Sequence, residues 1–232
     1  MNEIFITGTD TEVGKTFISS LLIKYIKQHK KKVLGFKPIA AGAEYAFGEL
    51  VNDDALTLLE SGNVSVPYNI INPYIFEQAI APHIAAQESK KCITLGGLNA
   101  SYKSIKTRLD PEGYLITEGA GGWALPINEE DYLYDWVKAQ NLNVILVVGL
   151  KLGCLNHALL THAHMKSIGV NCIGWIANHI DPSMHAQQQN IDSLIARLPM
   201  PLLAVAPFYN DSESEKPKLQ VYKVLSDVLN LK

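Results

Sequence analysis

Six short apolar runs set the limits on how this chain can fold. They are "EIFITG" (3–8), "KVLGFKP" (32–38), "GYLITEG" (113–119), "NVILVVG" (143–149), "CIGWIAN" (172–178) and "LLAVAPF" (202–208). Each is bounded by turn residues. Most are continuously apolar rather than alternating, as strands are when both faces of a parallel sheet are covered. Helical patterns fill the intervals. In the first, Ile18, Leu21, Leu22 and Tyr25 follow the i, i+3, i+4, i+7 spacing. Lysines at 24, 27, 30, 31 and 32 crowd toward its C-terminus, where the helix dipole favours cations. Further helices are expected over 53–61, 95–109, 131–140, 154–168 and 184–197. This alternation predicts an α/β fold, a doubly wound, mainly parallel sheet flanked by helices. A length of 232 residues allows one large domain or two small ones. The unbroken alternation favours one domain over 1–232, with 209–218 a polar surface connection and 219–230 a last helix.

The composition, 47% hydrophobic and 19% charged, is that of a globular protein with ample material for a core. A net charge of −3 leaves no basic footprint, so nucleic acid is not an expected partner. The three cysteines, Cys92, Cys154 and Cys172, form no C-x-x-C pair, which argues against a disulfide framework and for a cytoplasmic home. "MNEIFITG" is not expected to act as a signal peptide, and "NVILVVGL" is too short to span a bilayer, so no membrane partner is expected.

A doubly wound sheet places its ligands at the carboxyl ends of its strands. Glycines, lysines and a carboxylate collect there: Gly14-Lys15-Thr16, Lys37, Glu118 to Gly122, Lys151 to Gly153, and Asn178. In "GTDTEVGKTF" (8–17) five residues separate Gly8 from Gly14, one more than the pattern G-x-x-x-x-G-K-[ST] allows. The Gly-Lys-Thr tripeptide still follows an apolar strand and opens an amphipathic helix, the context that makes such a loop a phosphate cradle. Lys15 would then carry charge to the β- and γ-phosphates, and the Thr16 hydroxyl would ligate Mg²⁺.

Several other residues admit two readings. Glu118 ends a buried strand where a P-loop protein keeps a magnesium-handling carboxylate, or it is a solvated turn residue. Asp54 reads first as an acid that caps a helix start or compensates its dipole. Lys37, extended by Pro38, is suited to neutralise a transferring phosphoryl group, but in isolation it reads as one more surface lysine. "KLGCLNHALL" (151–160) is a helix start whose N–H groups could hold a carboxylate, or an ordinary start capped by Asn156. His157 and His164 lie ~10 Å apart along a helix and do not chelate one ion. Cys154 reads as a buried small hydrophobe.

Taken together, "FITGTDTEVGKT" (5–16), "GFKPIAAG" (35–42), "NDDAL" (52–56), "NPY" (72–74), "APH" (81–83), "EGAGGW" (118–123), "NVILVVG", "KLGCLNHALLT" (151–161) and "GWIAN" (174–178) resemble the dethiobiotin synthetase family. The longer opening loop belongs to that family's own pattern. The resemblance implies a P-loop NTPase-like fold and an ATP- and Mg²⁺-dependent carboxylation of 7,8-diaminopelargonate with CO₂. A carbamate would be phosphorylated to a mixed anhydride, and the second amine would close the cyclic urea. Glu12, Val13, Gly14, Lys15, Thr16 and Phe17 would wrap the triphosphate, joined by Gly119, Ala120 and Gly121. Thr16, Asp54 and Glu118 would hold Mg²⁺. Lys15, Lys37 and Thr11 would serve the chemistry, with Asp10 orienting Lys15 or Lys37. Asn178, His179, Pro207 and Phe208 would meet the base. Leu152, Gly153, Cys154, Leu155 and Asn156 would receive the substrate carboxylate, near the partner subunit of a homodimer. Ala41, at a substrate-facing position, and Ala81 stand where the family commonly has serine. Beyond Phe208 the resemblance fades. A partitioning-type ATPase would need a lysine between Thr9 and Val13, and none is present.

Overall fold

The structure, a computed structural model, describes residues 1–46, 48–209 and 219–231. β1 (Asn2–Gly8) leads through α1 (Lys15–Gln28) to β2 (Val33–Phe36). A long excursion follows, with β3 (Ile39–Ala41), β4 (Glu44–Ala46), β5 (Glu49–Val51), α2 (Asp53–Ser61), α3 (Tyr68–Ile71), β6 (Tyr74–Phe76), α4 (Pro82–Glu88) and α5 (Leu95–Lys106). The chain then runs β7 (Tyr114–Glu118), α6 (Leu133–Ala139), β8 (Asn143–Leu150), α7 (Cys154–Ser167) and β9 (Cys172–His179). It continues with α8 (Gln187–Arg197), β10 (Leu202–Ala206), β11 (Gln220–Val221) and α9 (Lys223–Val228).

Seven strands form the main sheet in the order β11-β10-β9-β8-β1-β7-β2. All neighbours are parallel except β10 and β11. β1 is thus an interior strand, between β8 and β7, and its outgoing loop emerges within the carboxyl edge. The pleat sends alternate side chains to opposite faces. Ile4, Ile6, Ile145 and Val147 join Ile18, Leu22 and Ile26 of α1 in one buried cluster, which also takes in Leu225 of α9. Phe5, Val144, Leu146 and Val148 point the other way, against Tyr102, Trp136 and Ala158 of α5, α6 and α7. Both faces are covered, which is why the strands carry no polar alternation.

Sequence expectation and structure differ in two places. Residues 220–221 do not begin a helix. Gln220 and Val221 pair antiparallel with Val205 and Ala204, and Tyr222 N–H donates to the Leu203 carbonyl at 3.0 Å, so α9 starts only at Lys223. The open edge of β10 offers backbone groups that need partners, and this short strand supplies them. The expected polar connection at 209–218 falls, after Tyr209, outside the described residues. The short elements of the excursion had no sequence signal, because three-residue strands and one-turn helices are too brief to show a period.

The excursion is locked to the sheet at Gly35. A Cβ added there would meet Leu58 Cβ of α2 at 2.6 Å, with the Leu58 carbonyl at 3.2 Å. We expect Gly35→Ala to push α2 outward and cost about 1–3 kcal/mol, the usual range for overpacking a core, read as a lowered urea midpoint.

Candidate active site

The loop between β1 and α1 is built around two close approaches. Gly14 sits at φ 82°, in the left-handed region, and precedes the first residue of α1. A Cβ on it would lie 2.2 Å from the Asn178 side-chain nitrogen, so both backbone conformation and space demand glycine. Val13 is fully buried and packs on Gly149 of β8, where an added Cβ would meet Val13 Cγ1 at 2.9 Å. Glu12 also takes a positive φ, 55°, and Thr11 and Glu12 are both exposed at the crest. The first N–H groups of α1 have no partner within the helix and, with its dipole, form an anion site. Lys15 Nζ folds back to the Asp10 carbonyl at 3.0 Å. Burial, with the nearby Lys37 charge second, pulls the Lys15 pKa down to about 8.

Lys37 lies at the end of β2 and is 2% exposed. Its backbone N–H donates to Ile71 O (2.9 Å), and Asn72 Nδ2 donates to its carbonyl (2.7 Å), so the turn after α3 positions it. Its ammonium donates to Glu118 Oε1 at 2.5 Å, Asp54 Oδ2 at 2.8 Å and the Gly119 carbonyl at 3.2 Å. Burial pulls the ammonium's pKa down, but the charges of Glu118 and Asp54 outweigh it and hold the pKa above the usual lysine value. Asp54 shifts the other way: desolvation raises it, yet Lys37 holds it below the usual carboxylate range. The surface-lysine reading of Lys37 is therefore overturned. For Asp54 the cap falls instead to Asn52, whose Oδ1 accepts from Ala55 N–H at 3.3 Å, while Asp54 keeps the first-turn place of a dipole-compensating acid.

Thr16 Oγ1 donates to the same Glu118 oxygen at 2.8 Å. The other Glu118 oxygen, Oε2, is buried with no hydrogen-bond partner. A hydroxyl, a half-buried carboxylate and an orphaned carboxylate oxygen make up the hard oxygen set that Mg²⁺ takes beside phosphates. Thr16, Asp54 and Glu118 therefore fit that ion.

A cavity of about 650 Å³ opens over this cluster. Thr11, Glu12, Lys15, Lys37 and Asp54 give it polar lining, with Ala120 and Gly121 (φ 60°), while Ala40, Ala41, Ile80, Ala81, Pro82 and Leu125 give it apolar lining. On the other side of the loop, Phe17, Asn178, His179, Pro207, Phe208 and Tyr209 line a second cavity of about 210 Å³. Phe17 and Tyr209 stack there at 6.0 Å between centroids. Asn178 is buried and its side-chain nitrogen donates to Val13 O at 2.9 Å, so its amide already supports the loop. A separate cavity of about 390 Å³, bordered by His83 and Glu130, contains none of these residues.

Leu152, Gly153, Cys154, Leu155 and Asn156 lie at the turn into α7, with Gly153 at φ 94°. None of them lines the larger cavity, and Leu152 is 94% exposed. Within one chain the structure does not bring them to the Lys37 cluster. The expected role of Asp10 also changes. Its carbonyl holds Lys15, but its carboxylate pairs with Lys151, at 2.9 Å, rather than with Lys15 or Lys37. Sequence reasoning missed Asn72 and Lys151 as partners, and the only signals were their places in "NPY" and "KLGC".

An interior strand opening on a glycine-lysine-threonine loop at the carboxyl edge of a parallel sheet defines a P-loop nucleotide-binding protein. The fold is similar to MinD cell division protein of Aquifex aeolicus (TM-score 0.54, 15% identity, covering 100% of this chain and 87% of that one). It is similar also to cell division protein FtsY of Thermotoga maritima (TM-score 0.52, 16% identity, 99% and 68% covered). A family profile described as an AAA domain matches residues 2–216. A protein of Pseudoalteromonas translucida (strain TAC 125) named ATP-dependent dethiobiotin synthetase BioD is 59% identical over 97% of this chain and 96% of its own length. One of the same name from Aeromonas salmonicida (strain A449) is 45% identical, over 91% and 92%. The chain belongs to the ATP-dependent dethiobiotin synthetase family.

Removing the Lys37 ammonium would strand Glu118, which is wholly buried. We expect Lys37→Met to lower stability by about 3–5 kcal/mol in chemical denaturation, the usual cost of breaking a buried pair from one side. Adding Glu118→Gln should recover part of that loss.

Proposed function

We propose that this enzyme joins CO₂ to 7,8-diaminopelargonate and closes the cyclic urea of dethiobiotin, converting ATP to ADP and phosphate. The observation that supports this reading most is the larger cavity. It is lined by two lysines, Lys15 and Lys37, and by alkyl side chains from Ala40 to Leu125. Such a mixed cationic and alkyl lining suits a substrate that joins reacting amines to an apolar chain. One amine nitrogen attacks CO₂ and loses a proton, giving a carbamate. A carbamate oxygen attacks the γ-phosphorus of ATP and releases ADP. The second amine then attacks the carbonyl carbon, and phosphate leaves with the ring closed and a second proton lost.

Each chain residue has a task consistent with its surroundings. The N-terminal amides of α1 and Lys15 hold the triphosphate, helped by Glu12 to Phe17 and the backbone of Gly119 to Gly121. Phe17, Asn178, His179, Pro207 and Phe208 receive the base. Lys37 places a positive charge beside the carbamate oxygen and the transferring phosphoryl group, and Thr11 faces the same point. Preorganised charge of this kind is worth most where charge develops in the transition state. Thr16, Asp54 and Glu118 would hold Mg²⁺, which would screen the phosphate charge. A carboxylate tail would reach the start of α7, and because that turn lies outside the cavity of its own chain, we assign the contact to a homodimer. The exposed Leu152 and Leu160 and the half-buried Leu155 and Leu159 of this helix region give such an interface an apolar face. Among the described residues no helix is long and apolar enough to cross a membrane. Three free cysteines accord with a cytoplasmic setting.

The direct test incubates the protein with Mg-ATP, labelled bicarbonate and the diamine. Label should enter an acid-stable cyclic urea only when all are present. Diamine-independent ATP hydrolysis would instead mark a partitioning-type ATPase, and nucleotide binding without turnover a non-catalytic module. Lys37→Gln keeps hydrogen-bond donors for Glu118 and Asp54, so it should bind nucleotide while kcat falls by about a hundredfold or more, as loss of one transition-state donor does. Leu160→Asp should shift the sedimentation coefficient toward that of a monomer and raise KM for the diamine.

A further inference from the structure

The acid in the phosphate loop is the feature that the functional reading leaves without a task. Asp10 would repel a polyphosphate if its charge stood alone. Every hydrogen-bonding group of its side chain and carbonyl is engaged instead. Oδ1 accepts from the Thr11 N–H at 2.8 Å, Oδ2 accepts from Lys151 Nζ at 2.9 Å, and the carbonyl accepts from Lys15 Nζ at 3.0 Å. Thr11 and Lys15 both line the larger cavity. Lys151 belongs to the turn into α7, which the proposed homodimer lends to the partner's site. It follows β8, and its carbonyl accepts from Cys154 N–H at 3.0 Å, closing the turn into α7. Two neighbouring residues, Val13 and Gly149, bring the same loop and strand into contact. The loop and the α7 turn therefore meet at an apolar contact and, beyond it, at an ion pair.

We propose that the Asp10–Lys151 pair is a positioning strut that ties the phosphate loop to the turn beginning α7, so that the nucleotide site of one subunit and the carboxylate-holding turn it lends to its partner keep one geometry. Both side chains are over a third exposed, 37% for Lys151 and 41% for Asp10. An ion pair in that setting contributes little to folding stability. Its effect lies in geometry and in cancelling the loop's negative charge. The proposal rests on the functional reading for the substrate end of the site, but its nucleotide end can be measured without the diamine.

The test compares Lys151→Met, Asp10→Asn, the double variant and Lys151→Arg. Four quantities are read for each: Kd for Mg-ATP by titration calorimetry, kcat, KM for the diamine, and Tm. Lys151→Met leaves Asp10 uncompensated, and Kd should rise about tenfold. Its kcat should fall about tenfold or more through misplacement of the loop. The double variant should regain most of the nucleotide affinity, because the charge is gone, while kcat stays low, because the strut is gone. Lys151→Arg should restore both to within about twofold, and Tm should hold within a few degrees throughout. The proposal is overturned if the double variant binds Mg-ATP no better than Lys151→Met, if kcat of Lys151→Met matches that of the parent, or if Tm collapses in step with activity. Failure of the parent protein to make a cyclic urea would sink the functional reading alone, since the nucleotide measurements would still decide the strut.

Discussion

One buried ammonium holds the active site together. Lys37 has left water at the end of β2, a step that costs several kcal/mol unless the charge is paired and hydrogen-bonded. Glu118 from β7, Asp54 from α2 and the Gly119 carbonyl meet that requirement together. Three segments far apart in sequence are thereby forced to converge. The excursion between β2 and β7 is more than a long connection: its α2 supplies one carboxylate, and Asn72 after α3 fastens the lysine's own backbone. The same Glu118 oxygen that receives Lys37 also receives Thr16. Lysine cluster and phosphate loop are consequently one network.

The sheet sets where that network faces. With β1 inside the sheet and both faces covered by helices, the carboxyl edge is where a sheet of this kind takes its ligand. The β1 loop crosses that edge. Neighbouring strand ends contribute Glu118 on one side and the Gly149 to Lys151 turn on the other. The loop's shape then depends on contacts from β8 and β9: Val13 presses on Gly149, and Asn178 donates to the Val13 carbonyl. The loop is one residue longer than the common pattern, and Asp10, one of its two acids, is paired with Lys151. Charge cancellation and positioning are both carried by a pair too exposed to matter much for stability.

Much of this was legible in the sequence, for definable reasons. The principal strands announced themselves because burial on both faces erases polar alternation. The loop could be read because glycine, lysine and threonine must stand in fixed order between strand and helix. Asp54 and Lys37 were ambiguous. A carboxylate in a helix's first turn and a lysine before proline each have a common bland role, and only their mutual contact reveals a further one. Asn178 lines the cavity proposed for the base, and its amide also braces the loop, a contact the sequence did not suggest. The short elements between β2 and β7, and the two-residue β11, were invisible, since their pairing partners rather than their own periodicity define them.

By itself the sequence determined the layered α/β architecture, the phosphate loop and the family, because each is written in local order and hydrophobic period. Only the tertiary structure decided which charges meet. Glu118 lies 81 residues from Lys37 and Lys151 lies 141 residues from Asp10. Contacts across such separations follow from how strands are ordered in the sheet, and local sequence has no means of stating them.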